Sequence, residues 1–171
     1  MKEIDLKEYF LRFKSGDKEA FTEIYDELKK PVFTIAYRIT SLRETAEDVT
    51  QDLFIKLYIS PPDSSVKNPR AWIFSMARNL AIDALRKKQC SDIDEIQIAD
   101  ESAENIDEKI DIEGAIASLS LIEREIISLH LDGGLSFAEI GKAVGLSLPA
   151  TYRKYKGALN KMRQKLEGGI L

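Results

Sequence analysis

The feature that most constrains this chain is a reversal of charge along its length. Between Cys90 and Glu113 stand Asp92, Asp94, Glu95, Asp100, Glu101, Glu104, Asp107, Glu108, Asp111 and Glu113, against Lys109 alone. An anionic tract this dense and this weakly periodic buries too little apolar surface to offset the entropy of ordering it, so it reads as a linker. It divides the 171 residues into two stretches, each sized for one small domain. Both flanks are basic. Lys67, Arg70, Arg78, Arg86, Lys87 and Lys88 precede the tract with only Asp83 among them. Arg153, Lys154, Lys156, Lys161, Arg163 and Lys165 follow it with no acid between Thr151 and Leu166. The net charge of -4 therefore hides two local basic footprints of the kind that meet nucleic acid.

Both flanks read as helix. Only 9 Gly and 5 Pro leave little material for a turn-rich β fold. Leu6, Phe10 and Phe13 recur at helical spacing before Gly16-Asp17, which ends one helix and caps the next. Phe21, Ile24, Tyr25, Leu28, Val32, Ile35, Ala36 and Ile39 form the next apolar stripe, which Pro31 is expected to kink or split. A third helix spans about 43–59, and Ser60-Pro61-Pro62-Asp63-Ser64-Ser65 is a loop. Asn68-Pro69 supplies an N-cap and a first-turn proline for a fourth helix running to about Lys88. Trp72 on its apolar side is expected to pack into the core. Beyond the tract, Ser120-x-x-Glu123 and Ser136-x-x-Glu139 are capping boxes that open two short helices. The fold expected is all-α, two small helical domains joined by an acidic flexible linker, with bounds 1–89, 90–108 and 109–171.

The last two helices have helix-turn-helix spacing. A helix of about eight residues meets Gly145-Leu146-Ser147 and then a long helix. In such a unit the start of the second helix enters the major groove. Ser147, Pro149, Ala150, Arg153, Lys154 and Lys156 then lie nearest DNA. Arg153 suits the two acceptors of guanine, and the lysines suit phosphates. The unit indicates DNA without indicating which class of DNA-binding protein.

Two strings upstream carry that distinction. The segment Ala46-Glu47-Asp48-Val49-Thr50-Gln51-Asp52-Leu53-Phe54-Ile55 puts Asp48, Gln51, Asp52 and Ile55 on one helical face. The helix from Asn68 to Lys88 carries Trp72 and then Ala77-Arg78-Asn79-Leu80-Ala81-Ile82-Asp83, with Arg86 and Lys87 beyond. In this order, and followed by Glu123-Arg124-Glu125-Ile126-Ile127, Ser136-Phe137-Ala138-Glu139-Ile140-Gly141 and Gly145-Leu146-Ser147, they resemble the extracytoplasmic-function sigma factors, the small two-domain group of the sigma-70 family. The resemblance runs from about Phe21 to Leu166. It implies a promoter-recognising initiation factor with two DNA-facing surfaces. Asp48, Gln51, Asp52, Phe54 and Ile55 would dock on the core polymerase clamp. Ser64, Ser65, Lys67, Arg70, Arg78, Asn79, Arg86 and Lys87 would hold the -10 element, the loop from Ser60 to Lys67 capturing an unstacked base. Ser147, Pro149, Ala150, Arg153, Lys154 and Lys156 would read the -35 element. Two departures from the family pattern, Ala150-Thr151 early in the recognition helix and Gly157 where an arginine is common, bear on the -35 sequence read.

The remaining expectations are mostly exclusions. Cys90 and His130 are single, so neither a disulfide nor a zinc cluster can form within the chain. His130, between Leu129 and Leu131, reads as structural. No glycine-rich phosphate loop and no catalytic constellation is visible, and no enzyme activity, cofactor or small-molecule substrate is expected. No apolar run approaches the roughly 20 residues needed to cross a bilayer, and the chain reads as cytoplasmic. The expected partners are core RNA polymerase, promoter DNA and an anti-sigma factor, membrane-bound in the family pattern. The acidic tether would follow the RNA exit channel of the polymerase, and is also expected to fold over the basic helices of the free protein. Two rival readings are a helix-turn-helix regulator of another class and a helical adaptor that binds only protein.

Overall fold

Capping chemistry sets where the first helices begin and end. The computed structural model describes residues 5–91 and 107–168. Asp5 opens α1 (Leu6–Lys14) by accepting the Lys7 N–H at 3.0 Å. Gly16, at φ 104°, reverses the chain without the penalty a side chain would meet. Asp17 then accepts the N–H groups of Glu19 and Ala20 at the start of α2 (Lys18–Thr40). Arg12 clasps the same carboxylate at 2.7 Å, so one aspartate both caps α2 and ties α1 to it. α3 (Arg43–Ile59) folds back along α2, and α4 (Pro69–Ser91) completes the N-terminal bundle. Asn68 caps α4 through the Ala71 N–H at 3.1 Å.

Pro31 does not split α2: the helix is continuous from Lys18 to Thr40. A proline inside a helix costs about 3 kcal/mol. Here Ile24, Leu28, Val32, Ile35, Ala36 and Ile39 are all fully buried along one stripe. Each large apolar side chain so buried contributes about 1.5–3 kcal/mol. Breaking the helix would misalign that stripe, and the packing outweighs the local cost.

The C-terminal half contains α5 (Asp107–Ala117), α6 (Leu121–Leu131), α7 (Phe137–Val144) and α8 (Leu148–Gly168). Both capping boxes form. Glu123 accepts the Ser120 N–H at 3.0 Å, and Glu139 accepts the Ser136 N–H at 2.9 Å. Ala115, Ile116, Leu119, Ile127, Ala158 and Met162 make a small core between α5, α6 and α8.

The halves are not held apart as two beads on a string. α6 lies along α2, and Ile126, Leu129, Leu135 and Ile140 join the hydrophobic core of the N-terminal bundle. Polar ties surround that shared core. Arg38 of α2 reaches Asp132, and also Glu113 at 3.0 Å. Arg124 of α6 donates to Ser41 at 2.7 Å, steadying a serine whose φ of 58° is left-handed. Of the expected linker, Cys90 and Ser91 belong to α4 and Asp107 and Glu108 to α5. Its other residues, 92–106, lie outside the described residues, and so does the expected masking of the basic helices by them.

Candidate nucleic-acid interface

The helix-turn-helix depends on one close approach. Gly145, at φ 75°, ends α7 in the left-handed region, and the Leu146 N–H returns to the Gly141 carbonyl at 2.9 Å. A Cβ on Gly141 would stand 2.6 Å from the Leu146 carbonyl oxygen and 3.1 Å from Thr151 Oγ1. Glycine at this position is what lets the two helices meet. Thr151 is fully buried and donates its hydroxyl to the Ser147 carbonyl at 2.9 Å. Ser147 caps α8 through the Ala150 N–H at 3.3 Å. With the inner face thus fixed, Arg153, Lys154 and Lys156 project into solvent on the opposite side. Ser147 and Pro149 are exposed too, and Ala150 is half-buried. The six residues expected to face the -35 element therefore share one end of α8. Lys161 does not join them, because Glu123 binds its ammonium at 2.7 Å.

An aromatic group braces the unit from behind. His130 stacks on Phe137 with ring centroids 4.5 Å apart and meets Tyr155 edge-on at 4.9 Å. Its Nδ1 lies 2.9 Å from the Leu135 carbonyl. These contacts give the histidine a packing role.

The basic face of the N-terminal half is built differently. Asn79, Arg86 and Lys87 are exposed on α4, and Ser64, Ser65 and Lys67 on the preceding loop. Asp63 organises that loop by accepting the Ser65 N–H at 2.8 Å, a bond that holds its carboxyl below the ordinary 3.8. A small hollow lies between the loop and α1, lined by Lys7, Leu11, Lys14, Pro62 and Ser64 among others. The contribution of α1 to this wall has no signature in the sequence. Arg78 and Arg70 are already engaged. Arg78 donates to Glu125 of α6 at 2.6 Å and to Asn79 at 3.0 Å. Arg70 donates to the Gly133 carbonyl at 3.3 Å, sits 3.7 Å from Glu27, and lies over the Phe74 ring. Trp72 is partly buried against the core.

A third surface runs along α3. Asp48, Gln51, Asp52 and Ile55 are exposed on it, while Phe54 is buried with its ring 4.6 Å from Tyr25. Beside them lies an open groove of about 730 Å³, whose far wall is Phe21, Tyr25 and Phe33 of α2. Phe21 and Tyr25 belong to the apolar stripe of the sequence, and Phe21 packs against the core. Tyr25 is instead 41% exposed, and Tyr58 and Ile59 of α3 are 50% and 76% exposed. That apolar exposure beside acids suits a partner helix rather than solvent.

Among the described residues, no helix is long and apolar enough to cross a membrane, and no cluster of His, Cys, Asp and Glu is arranged to hold a metal ion.

Comparison with known proteins adds to this geometry. Residues 24–90 match the family described as Sigma-70 region 2, and residues 115–164 match Sigma-70, region 4. The chain is 26% identical to the ECF RNA polymerase sigma factor SigK of Mycobacterium tuberculosis, over 95% of this chain and 94% of that protein. It is 25% identical to SigW, an ECF RNA polymerase sigma factor of Bacillus subtilis, over 96% of this chain and 98% of that one. Two solved structures share the fold. The sigma factor RpoE in complex with the anti-sigma factor NepR, from Bartonella quintana, aligns with TM-score 0.72 and 22% identity over 86% of this chain and 96% of that one. CnrH in complex with the cytosolic domain of CnrY aligns with TM-score 0.67 and 20% identity, over 95% of this chain and 97% of that one.

Proposed function

The chain belongs to the sigma-70 family as a sigma factor of the extracytoplasmic-function group, directing RNA polymerase to promoters, and from that premise we propose how its surfaces divide the work. The α3 face, with Asp48, Gln51, Asp52, Phe54 and Ile55 beside the aromatic wall of α2, docks on core polymerase. Exposed carboxylates set the orientation, and the groove supplies apolar area. The loop and α4, through Ser64, Ser65, Lys67, Arg70, Arg78, Asn79, Arg86 and Lys87, hold the -10 element. The start of α8, through Ser147, Pro149, Ala150, Arg153, Lys154 and Lys156, reads the -35 element. Residues 1–89 and 109–171 act as the two DNA-facing units, and 90–108 tethers them.

One observation carries this reading: a helix-turn-helix with an exposed basic end stands in the same chain as a helical bundle with its own basic helix and an acidic-apolar docking face. A helix-turn-helix regulator of another class has no need of that bundle. The protein works without chemistry of its own, as a binding factor in the cytoplasm. An anti-sigma factor restrains it, as the two structural neighbours were solved with theirs.

The test is a pull-down with core polymerase followed by run-off transcription on genomic fragments. Stable binding and discrete promoter-dependent transcripts are expected. Binding without promoter-dependent transcripts would leave only an adaptor.

A further inference from the structure

Two exposed apolar strips on different elements of this chain match in length and oppose one another in charge. The first is the groove beside α3, where Ile55, Tyr58 and Ile59 face the aromatic wall of α2 and stay 49%, 50% and 76% exposed. α3 carries Glu44, Glu47, Asp48 and Asp52, all exposed, against Arg43 and Lys56. The second strip lies on α8. Leu148, Tyr152 and Leu159 are 53%, 44% and 38% exposed, and steps of four and seven residues put them on one side of the helix. Lys156, whose ammonium lies over the Tyr152 ring, and Arg163 border that side. The single acid of α8, Glu167, stands at its far end. At a rise of about 1.5 Å per residue, the strip from Leu148 to Leu159 is about 16 Å long and the groove wall from Glu47 to Ile59 about 18 Å. Contiguous apolar surface of this kind, rimmed by charge, marks a binding face.

We propose that the α3 groove takes α8 of a second copy of this chain, seated by Leu148, Tyr152 and Leu159, with Lys156 and Arg163 against the acids of α3. The mode is an amphipathic helix laid in an apolar groove. One folded chain does not meet its own groove, because α8 is held on α5, α6 and α7 while the groove belongs to α2 and α3. Charge selects this pairing over a symmetric one. Groove against groove would set carboxylates facing carboxylates, whereas α8 brings cations to them. Donor strip and acceptor groove are different surfaces, so the contact is heterologous and each added copy leaves one of each free at the ends. A single helix in a single groove is a small interface, so the association is weak and concentration-dependent. The proposal goes beyond the reading of the groove as the polymerase docking face. It adds a second occupant, so that copies of the chain and core polymerase exclude one another at α3.

Sedimentation velocity tests this on the full chain carrying Cys90→Ser, which removes dimers linked through the exposed thiol. The weight-average sedimentation coefficient should rise with concentration across the micromolar range, and added salt should lower it by screening the exposed charges. Ile55→Lys damages only the groove. Leu148→Glu damages only the strip, and its carboxylate falls in the first turn of α8, where the helix dipole favours it. Each variant alone should associate on the order of tenfold more weakly than the parent. Mixed together, they should form a one-to-one pair that grows no further, since each supplies the surface the other lacks. That pair also shows that both variants are folded. A parent that stays monomeric at every concentration overturns the proposal. So does a Leu148→Glu variant that associates as well as the parent, or a mixture without the pair while both variants keep the parent's helical circular dichroism. Pull-down of Ile55→Lys with core polymerase tests the docking reading separately: both bindings should be lost. Polymerase binding kept while self-association is lost removes the docking reading and leaves the second copy in the groove.

Discussion

Two basic helices of similar composition, α4 and α8, are in unlike situations, and the difference lies in what packs against them rather than in their own residues. On α8 the inner face is consumed by Thr151, Ala158 and Met162, all buried, and the cations at its start are left to solvent. On α4 the apolar face packs into the bundle, while two of the cations beside it, Arg70 and Arg78, are satisfied by the other half of the chain. A basic stripe in a sequence thus specifies a capacity for anions. Which anion occupies it is decided by tertiary packing.

The strongest way to break this comparison is to attack the shared core. Ile126 is fully buried in the cluster that joins α6 to the N-terminal bundle. Ile126→Ala should cost about 2–5 kcal/mol, and thermal unfolding followed by circular dichroism should remain a single transition shifted downward. Two separated transitions in the parent protein would mean that the halves fold independently and that the contact on α4 is incidental.

Gly141→Ala sharpens the comparison from the other side, because it forces a Cβ into the Leu146 carbonyl. It should cost about 1–3 kcal/mol of stability and lower duplex -35 binding in an anisotropy titration. Arg153→Ala should leave stability unchanged and reduce discrimination between -35 sequences by about 1–3 kcal/mol, while Lys154→Ala weakens all sequences alike and lowers the salt slope by about 1. Equal losses from the two substitutions across sequences would deny Arg153 a base contact.

Acid separates the two halves of the account by sign. The Ser136 N–H and hydroxyl hold Glu139 below its ordinary 4.5. Burial pushes Glu123 up, but Lys161 and Ser120 more than offset it, so this carboxyl also lies below 4.5. A depressed folded-state pKa gives stability that is present above 4.5 and lost as pH falls through the lower folded value. Asp132 runs the other way: its burial outweighs the pull of Arg38 and raises it above 3.8. It takes up its proton earlier on acidification, and the neutral form no longer bears the burial cost. Melting temperature should therefore fall as pH drops below 4.5, and Glu139→Gln should flatten that decline. An unchanged slope in this variant would remove the capping box from the explanation. Smallest is Gly157→Ala on α8, where nothing lies within 4 Å of an added Cβ. It should raise stability by up to about 1 kcal/mol with -35 affinity unaltered.

Much of this molecule is legible in its sequence, for reasons that are local. As caps, Asp17, Asn68, Ser136 and Glu139 act on groups within three residues of themselves, and those caps are the ones their spacing implies. The helix-turn-helix follows from the same short-range signals. Long-range facts are not so written. Arg38 and Asp132 lie 94 positions apart, and nothing in either neighbourhood singles out the other. Phe21 and Tyr25 fit a helical stripe equally well as core or as groove wall, and only the placement of α3 decides. Pro31 gave a clear local signal, yet the packing of the α2 stripe outweighed it. The close approaches at Gly141 and Gly133 are not written in the sequence, because each is a distance to a remote carbonyl rather than a local conformation.

The most direct measurement of the contrast between α4 and α8 is the distance between spin labels at Lys18→Cys and Gln164→Cys, read by electron–electron double resonance in the full chain carrying Cys90→Ser. A single short distribution is the expected result. A long, broad distribution would contradict it, since α4 would then be as open as α8.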